Sequence, residues 1–545
     1  MARISLSMIL AASSLVSSTA MAADMALKAP VAGPNCEPYV NYNCLDNYLG
    51  DDFATRLYRY YALEWGHDAP PSDPKAPPSR RSDAVWPVTP QSTPPMPFTE
   101  WPYGGAPSIG VTRPNSVDSP LMVALGNTLL GQAMNAAHIQ MYGWVNPGGN
   151  ISTNTVKPGG NFPVSYDYTP NTVQLDQAVL YIERLPDTVQ NDHFDWGFRV
   201  SGIYGVDYRY TTAYGLFSYQ LLNHNFVNGY DFPMEYVDLY FPVVQGLNVR
   251  IGRFISIPDI EAQLAPNNYT YAHSLTYTFD NLTNTGILST LAVTKNWILQ
   301  LGLVVGTDTM PWNIGATIAN PDPNPIYPRT TMLKDPGAQP SATVGVRWTS
   351  DDGKDAVYLV ANSINNGAWG YDNLQWLGAT YYHKFNDQWH IAFETYNTHE
   401  NDVPNLNNPI AAAAIANGGT PFSPQYVPFN APGAAQCNNA TVLTCTADQQ
   451  AFLIYINYSP NKLNNFTLRT EFFDDMEGQR TGIKTQYVDA ALGWQHWLSP
   501  QIEVRPEIGY YRSLDANAFN GDANAGIAPS RNWAVIAASD LIVHF

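Results

Sequence analysis

The sequence predicts an all-β protein, a transmembrane antiparallel β-barrel of about sixteen strands preceded by a proline-rich N-terminal extension. From about residue 138 onward, segments of about ten residues alternate apolar and polar side chains, as strands with one lipid-facing and one water-facing side do. Short and long connections between these segments also alternate. Finally, 13% of the 545 residues are charged and 13% are aromatic, which fits neither a disordered chain nor a helical soluble enzyme.

The acidic composition excludes one class of partner. The formal net charge is −19, and because binding to phosphates requires a basic surface, we expect no nucleic-acid binding. The mean hydropathy of −0.22 is low for a membrane protein. Barrel strands explain this value, because the high hydropathy of their lipid-facing residues is offset in the mean by the low hydropathy of their water-facing residues.

Residues 1–22 are predicted to be a cleaved secretory signal peptide. Arg3 supplies the positive end, an apolar run covers 4–16, and Ala20-Met21-Ala22 supplies the small-residue cleavage site. A membrane anchor is the alternative, but about 13 apolar residues are too few to span a bilayer. The rest of the sequence has no apolar run of about 18 residues, so we expect no transmembrane helix.

Residues 23–135 form the predicted N-terminal extension. A short helix is expected between Asp51 and Trp65, and 70–114 contains 13 prolines in 45 positions, which favours an extended linker. Export to an oxidising compartment favours disulfides among the four cysteines, Cys36, Cys44, Cys437 and Cys445. We expect each local pair to join, although four cysteines allow three connectivities. Their spacing does not match a metal site.

The barrel is predicted to occupy residues 136–545. In 464–473, for example, Phe466, Leu468 and Phe472 share one side of a strand, and Arg469 and Glu471 share the other. The sixteen predicted strands lie near 138–146, 175–184, 194–207, 234–242, 247–257, 284–294, 297–306, 342–349, 355–364, 374–384, 388–397, 450–458, 464–473, 486–497, 501–511 and 532–545.

A soluble β-sandwich shows the same alternation, so the connections decide between the two folds. Turns such as 295–296 and 385–387 are minimal, whereas 147–174 and 398–449 are long. Outer-membrane barrels have an even number of strands, with short turns at one end and long loops at the other. Residues 274–280 also alternate, but we assign them to the loop 258–283. A seventeenth strand would place every later long loop at the end of the barrel that has the short turns. Fourteen or eighteen strands also remain compatible with the pattern.

The last strand ends in a pattern that matches the assembly signal of outer-membrane barrels. Leu541, Val543 and Phe545 are apolar at alternate positions and end in an aromatic residue. We therefore expect the barrel-assembly machinery of the outer membrane to be a partner.

Several stretches rich in aromatic residues and glycine carry a family resemblance: 139–145, 194–200, 204–208, 236–240, 252–254, Glu261 and 504–508. They resemble the OmpL-like family of β-barrel porins, from the outer membrane of Gram-negative bacteria. The resemblance covers about 138–545 and does not reach 23–135. It implies a channel-forming barrel but supplies no substrate.

A barrel of about sixteen strands is wide enough for an aqueous lumen, and the charged side of each strand should line it. Such charges can set ion selectivity, or they can form ion pairs that stabilise the wall, and the sequence leaves both roles open. The predicted pore-lining residues are Glu183, Arg199, Asp207, Asp238, Arg250, Arg347, Glu394, Arg469, Glu471, Asp489, Glu503, Arg505, Glu507 and Asp540.

The loop 258–283 is a candidate to fold inward and narrow the pore. It carries Asp259 and Glu261 together with several aromatic residues. The alternative is an external loop that packs against its neighbours. Arg253, just before it, breaks the alternation and would face lipid, so we expect it to reach the headgroups or to follow a bulge that resets the alternation.

The sequence contains no HExxH, GxSxG, P-loop or GxGxxG motif, so we expect neither enzymatic activity nor a cofactor. The leading hypothesis is an outer-membrane porin for passive diffusion of small hydrophilic solutes, embedded in outer-membrane lipid. A homo-oligomer is compatible with it. The alternative is a structural or adhesive barrel with an occluded lumen, in which 23–135 or the loop 398–449 binds a partner.

Overall fold

The computed structural model describes residues 49–64, 109–110, 119–164, 166–222, 224, 226–257, 260–319, 332–370, 373–417, 433–461, 463–499 and 501–545. The predicted leader 1–22, the pair Cys36 and Cys44, most of the proline-rich segment and Asp259 lie outside the described residues. No described helix is long and apolar enough to cross a membrane.

Sixteen antiparallel strands form a closed barrel, which confirms the predicted fold and strand number. They are β1 Gln140–Ser152, β2 Val173–Arg184, β3 Asp195–Gly205, β4 Gly229–Phe241, β5 Leu247–Ile255, β6 Thr283–Ala292, β7 Trp297–Thr307, β8 Ser341–Thr349, β9 Asp355–Ile364, β10 Gln375–Lys384, β11 Trp389–Pro404, β12 Thr444–Asn461, β13 Asn464–Asp475, β14 Thr485–Ser499, β15 Ile502–Val504 with Glu507–Ser513, and β16 Trp533–His544.

Each strand pairs with the next one along the chain, and β16 closes the barrel on β1. In this closing pair Trp144 lies opposite His544 and Val145 opposite Val543. The two segments of β15 count as one strand, because both pair with β14 on one side and β16 on the other. The interruption falls at Pro506, which has no backbone N–H to donate to a ladder.

The described helices lie before and between the strands. They are α1 Phe53–Glu64, α2 Pro120–Leu125, α3 Leu129–Ala136, α4 Tyr208–Thr211, α5 Tyr219–Leu222, α6 Leu275–Thr278 and α7 Pro409–Asn417, with 3₁₀ turns at Ala265–Asn267 and Ala523–Ala525. The helix expected between Asp51 and Trp65 is confirmed by α1. The assignment of 274–280 to a loop is also confirmed, because α6 occupies it.

The two sides of the strands differ as the alternation predicts. On β13 the inward residues are buried at every second position, and Phe466 on the other side is exposed. Outward leucines such as Leu301 and Leu303 have 53% and 62% of their surface exposed. Exposed Trp196, Trp297 and Trp389 lie at the short-turn end, where tryptophan is favoured at a membrane interface.

The long loops all leave the same end of the barrel. There β11 and β12 extend to 16 and 18 residues, more than the roughly ten needed to cross a membrane. The disulfide between Cys437 and Cys445 confirms local pairing for this pair. A two-stranded hairpin that the sequence analysis did not predict, Ala316–Ala319 with Met332–Asp335, lies in the loop after β7.

The N-terminal helices pack at the short-turn end. The Tyr60 hydroxyl accepts a hydrogen bond from Gln501 at 2.9 Å, and the Tyr61 hydroxyl donates to the backbone carbonyl of His544 at 2.5 Å. Arg56 Nε donates to the carbonyl of Val123 in α2 at 2.9 Å. These bonds fasten α1 to the last turn and the last strand of the barrel.

Candidate functional site

The candidate site is the interior of the barrel, where the structure places the predicted pore-lining residues. Thirteen of the fourteen are buried, and Arg347, whose Nε donates to Thr349 at 3.2 Å, is half-buried. The buried ones are Glu183, Arg199, Asp207, Asp238, Arg250, Glu394, Arg469, Glu471, Asp489, Glu503, Arg505, Glu507 and Asp540.

Two ion pairs lie side by side on the wall formed by β2 to β5. Arg199 pairs with Glu183 at 2.5 Å, and Arg250 pairs with Asp238 at 2.8 Å. The ring of Tyr236 lies between the two arginines, with its centroid 6.0 Å from Arg199 and 3.9 Å from Arg250. Aromatic faces attract guanidinium groups, so this ring helps to hold both side chains against the wall.

The described residues of the segment after β5, 256–257 and 260–282, are folded into the barrel, and we call them the inner loop. Three wall carboxylates accept hydrogen bonds from its backbone. Glu394 accepts from the amide of Ile260 at 3.0 Å, and Glu507 accepts from that of Ala272 at 3.1 Å. Glu471 accepts from the amide of Leu275 at 2.7 Å, at the first turn of α6. Hydrogen bonds to a charged acceptor are stronger than neutral ones, so these carboxylates fix the course of the loop.

Wall arginines bind the carbonyl oxygens of the same loop. Arg469 Nη1 donates to Ala272 O at 2.6 Å, and Arg505 Nη1 donates to Ala265 O at 2.6 Å. Arg505 also forms an ion pair with Asp540 at 2.5 Å. Positive side chains therefore bind carbonyl groups of the loop and negative ones bind its amides. Many of the predicted lining charges form these hydrogen bonds.

Glu261 is the predicted constriction residue that the structure describes. Its carboxylate accepts hydrogen bonds from the amide of Ser274 at 3.1 Å and from the Tyr455 hydroxyl. Arg469 lies 4.0 Å away. Burial raises the pKa of Glu261, and the neighbouring guanidinium opposes that rise. The side chain thus ties the two halves of the inner loop to each other and to β12.

Apolar side chains of the inner loop belong to a buried cluster that includes residues of the barrel wall. Leu264, Leu275 and Phe279 of the loop belong to one buried cluster with Leu288 of β6 and Val304 of β7. The inner loop is therefore held both by hydrogen bonds to charged wall residues and by apolar packing.

Sequence patterns do not identify several of the buried charges, of which Asp176 and Arg480 are two examples. Asp176 is the extra residue of a β-bulge, because Asn146 pairs with Gln177 whereas Pro147 pairs with Leu175. Both Asp176 and Gln177 are consequently buried. Arg480, in the loop after β13, donates to the carbonyl of Phe279 in the inner loop at 2.9 Å. A strict two-residue alternation assigns Asp176 to the outer side and says nothing about Arg480.

Arg253 follows neither expected solution, because the pairing of β5 with β4 and β6 has no register shift at this residue. It is buried and pairs with Asp231 at 3.0 Å, so it does not reach the headgroups. Gly252 before it has a φ of +138°, and the register of β4 on β3 shifts between Ser201 and Ile203. These irregularities bring the two side chains together.

The residues of the predicted assembly signal lie on the outward side of β16. Leu541, Val543 and Phe545 are half-buried, whereas Ile542 and His544 between them are buried. The backbone of Phe545 exchanges two hydrogen bonds of 2.9 Å with Gly143. Among the described residues, no cluster of three or more His, Cys, Asp or Glu side chains could hold a metal ion.

Comparison with known protein families identifies this architecture. The family model described as "Putative beta-barrel porin-2, OmpL-like" matches residues 138–545. The chain belongs to this family. The match covers all sixteen strands and the inner loop, and the family places the barrel in the bacterial outer membrane.

Solved structures of several outer-membrane proteins are similar to the chain, each over 75% of its length. The anion-selective porin from Comamonas acidovorans has 11% identity and a TM-score of 0.41, with 99% of that chain covered. The outer membrane channel DcaP of Acinetobacter baumannii has 9% identity and a TM-score of 0.42, with 97% covered. OmpT of Vibrio cholerae has 10% identity and a TM-score of 0.39, with 97% covered. Among curated proteins, no relative matches.

Proposed function

We propose that the chain forms a narrow outer-membrane channel through which small hydrophilic solutes diffuse passively. The observation that carries the proposal is the inner loop, whose backbone is bonded to inward-facing charges of the wall. A sixteen-strand barrel is wide enough to leave an aqueous lumen, and a loop fixed inside it reduces the opening.

The passage is proposed to run between the inner loop and the wall of β3 to β5, which carries Arg199 and Arg250. The polar attachments described above join the loop to β11, β12, β13 and β15. The opposite wall carries the pairs of Arg199 and Arg250, with Tyr236 between them. The charged side chains of this wall favour hydrated solutes over apolar ones.

Reconstitution of the full chain in planar lipid bilayers tests the proposal. We expect stepwise increases in conductance as single barrels insert. The folded state is checked first by gel migration, because an intact barrel migrates differently before and after boiling. Folded protein that inserts but never conducts would contradict the channel.

A structural or adhesive barrel with an occluded lumen is the second candidate. One observation favours it: the apolar cluster of Leu264, Leu275 and Phe279 with the β6 and β7 wall is buried. The same bilayer measurement separates the two candidates, because an occluded barrel inserts without conducting. A homo-oligomer stays a prediction, which chemical cross-linking of the protein in the membrane would test.

A further inference from the structure

Buried carboxylates outnumber buried cationic side chains in this protein. Among the residues that the structure describes, nineteen Asp and Glu side chains are buried but only eight Arg side chains, and no described Lys side chain is buried. Most soluble proteins bury a charge only when a partner compensates it. The buried carboxyl groups therefore exceed the cationic side chains available to pair with them.

Most arginines of the barrel interior are already compensated by a carboxylate. Four of them form one-to-one ion pairs: Arg199 with Glu183, Arg250 with Asp238, Arg253 with Asp231, and Arg505 with Asp540. Arg469 lies 4.0 Å from Glu261 and 3.9 Å from Asp489. The four one-to-one pairs cancel in charge and Arg469 is shared by two carboxylates, so the described buried carboxylates outside these pairs outnumber the remaining buried arginines.

Two such carboxylates are Asp176 and Asp207. Neither forms an ion pair with any residue in the described part of the chain, and both are buried. Asp207 Oδ2 accepts a hydrogen bond from Gln177 at 2.8 Å, and Asp176 Oδ1 accepts one from Gln174 at 2.6 Å. The buried Oδ1 of Asp207 has no hydrogen-bond partner among the described residues.

Gln177 places this pair of carboxylates beside the inner loop. Its Nε2 donates both to Asp207 and, at 2.7 Å, to the carbonyl of Gln263. Its Oε1 accepts from the amide of Ala265 at 3.0 Å. One side chain thus connects Asp207 to the inner loop, so this carboxylate lies beside the loop that is proposed to narrow the barrel.

We propose that this channel selects cations, and that Asp176 and Asp207 are residues that determine the selectivity. The inference rests on the proposed function, because selectivity requires a conducting channel. Negative charge in a water-poor constriction lowers the energy of a passing cation and raises that of an anion. The favoured solutes are small inorganic cations and small organic ammonium ions.

The reversal potential of the full chain in planar bilayers tests this, under about a tenfold KCl gradient at about pH 8. We expect its sign to report a K⁺ to Cl⁻ permeability ratio above one. In the Asp176→Asn/Asp207→Asn variant the ratio should fall by about half or more, because the variant removes the Asp207 charge and the adjacent carboxyl group beside the inner loop. The control, Asp192→Asn/Asp351→Asn, removes two charges from exposed positions and should leave the ratio unchanged.

The outcomes are distinguishable. Absence of conductance from folded wild-type protein contradicts the proposed function itself. Conductance with a ratio of one or below overturns the cation selectivity, and an unchanged ratio in the interior variant overturns the assignment to Asp176 and Asp207. If the double variant does not fold, as judged by its gel migration, Asp207→Asn alone carries the test, because Asp207 lies in a loop rather than in a strand.

Discussion

Arg469, on β13, donates a hydrogen bond of 2.6 Å to the backbone carbonyl of Ala272, which lies 197 residues earlier in the chain. This bond gives a charged wall residue a structural task. Glu394, Glu471 and Glu507 do the same for backbone amides of the inner loop. Residues that the alternation assigns to the water-lined wall therefore also determine where the loop lies, so their substitution changes the shape of the passage as well as its charge.

Loss of the Glu471 carboxylate should release part of the inner loop. Its oxygens accept from the amides of Leu275 and Thr276 at 2.7 and 2.8 Å, and each bond to a charged group contributes about 1.5–3 kcal/mol. We expect Glu471→Ala to raise single-channel conductance and current noise and to lower the temperature at which the barrel unfolds on a gel. Glu471→Gln keeps one acceptor oxygen and should lie between the two proteins. Wild-type conductance in Glu471→Ala would mean that other contacts fix the loop.

Helix α1 offers a matched set of tyrosines for testing its attachment to the barrel. Tyr60 and Tyr61 bond to Gln501 and His544, whereas Tyr58 has 67% of its surface exposed. The Tyr60→Ala/Tyr61→Ala variant should lose the attachment, because it loses both hydrogen bonds and the buried Tyr60 ring, and limited proteolysis should then cleave 49–64 faster. Tyr58→Ala should be cleaved at the wild-type rate. Equal cleavage of all three proteins would contradict the attachment.

The sequence predicts the strands well and the interior only in part, for physical reasons. Strands such as β13 follow from local alternation, because each side faces a different solvent. The extra residue of a bulge leaves no trace in that alternation, which is why Asp176 was missed. The contact of Arg469 with Ala272 joins distant parts of the chain, and no local pattern encodes it.

Ion selectivity should depend on pH through Asp207. Burial raises the pKa of this carboxyl to about 7, with Asp540 adding to the rise and both Gln177 and Arg505 opposing it. The group is therefore mostly neutral at pH 5 and mostly charged at pH 9. We expect the K⁺ to Cl⁻ permeability ratio to increase across this range, with its steepest change near pH 7.

The Asp207→Asn variant is the control for this titration, because an amide does not change charge in the range. Its permeability ratio should vary less with pH than that of the wild type. The same slope in both proteins would assign the pH dependence to other carboxyl groups. Asp192→Asn, at an exposed site, should reproduce the wild-type slope.

The buried pair of Arg253 and Asp231 should be needed for the stability of the long-loop end. Arg253 donates to Asp231 at 3.0 Å and to the carbonyl of Phe232 at 2.6 Å. Arg253→Ala leaves a buried carboxylate unpaired, which costs about 3–5 kcal/mol. We expect a lower temperature for the gel-mobility transition of the barrel. Arg512→Ala, at an exposed position, should leave it unchanged.

A double-mutant cycle separates the pair from the packing around it. Asp231→Ala alone should also destabilise the barrel, because the guanidinium of Arg253 loses its compensating charge. Arg253→Ala/Asp231→Ala removes both charges, so its transition temperature should lie above that predicted by adding the two single effects. Strict additivity would mean that the interaction between the two side chains contributes nothing to the stability of the barrel. In that case the backbone irregularity at Gly252, with its φ of +138°, would position Arg253 without help from Asp231.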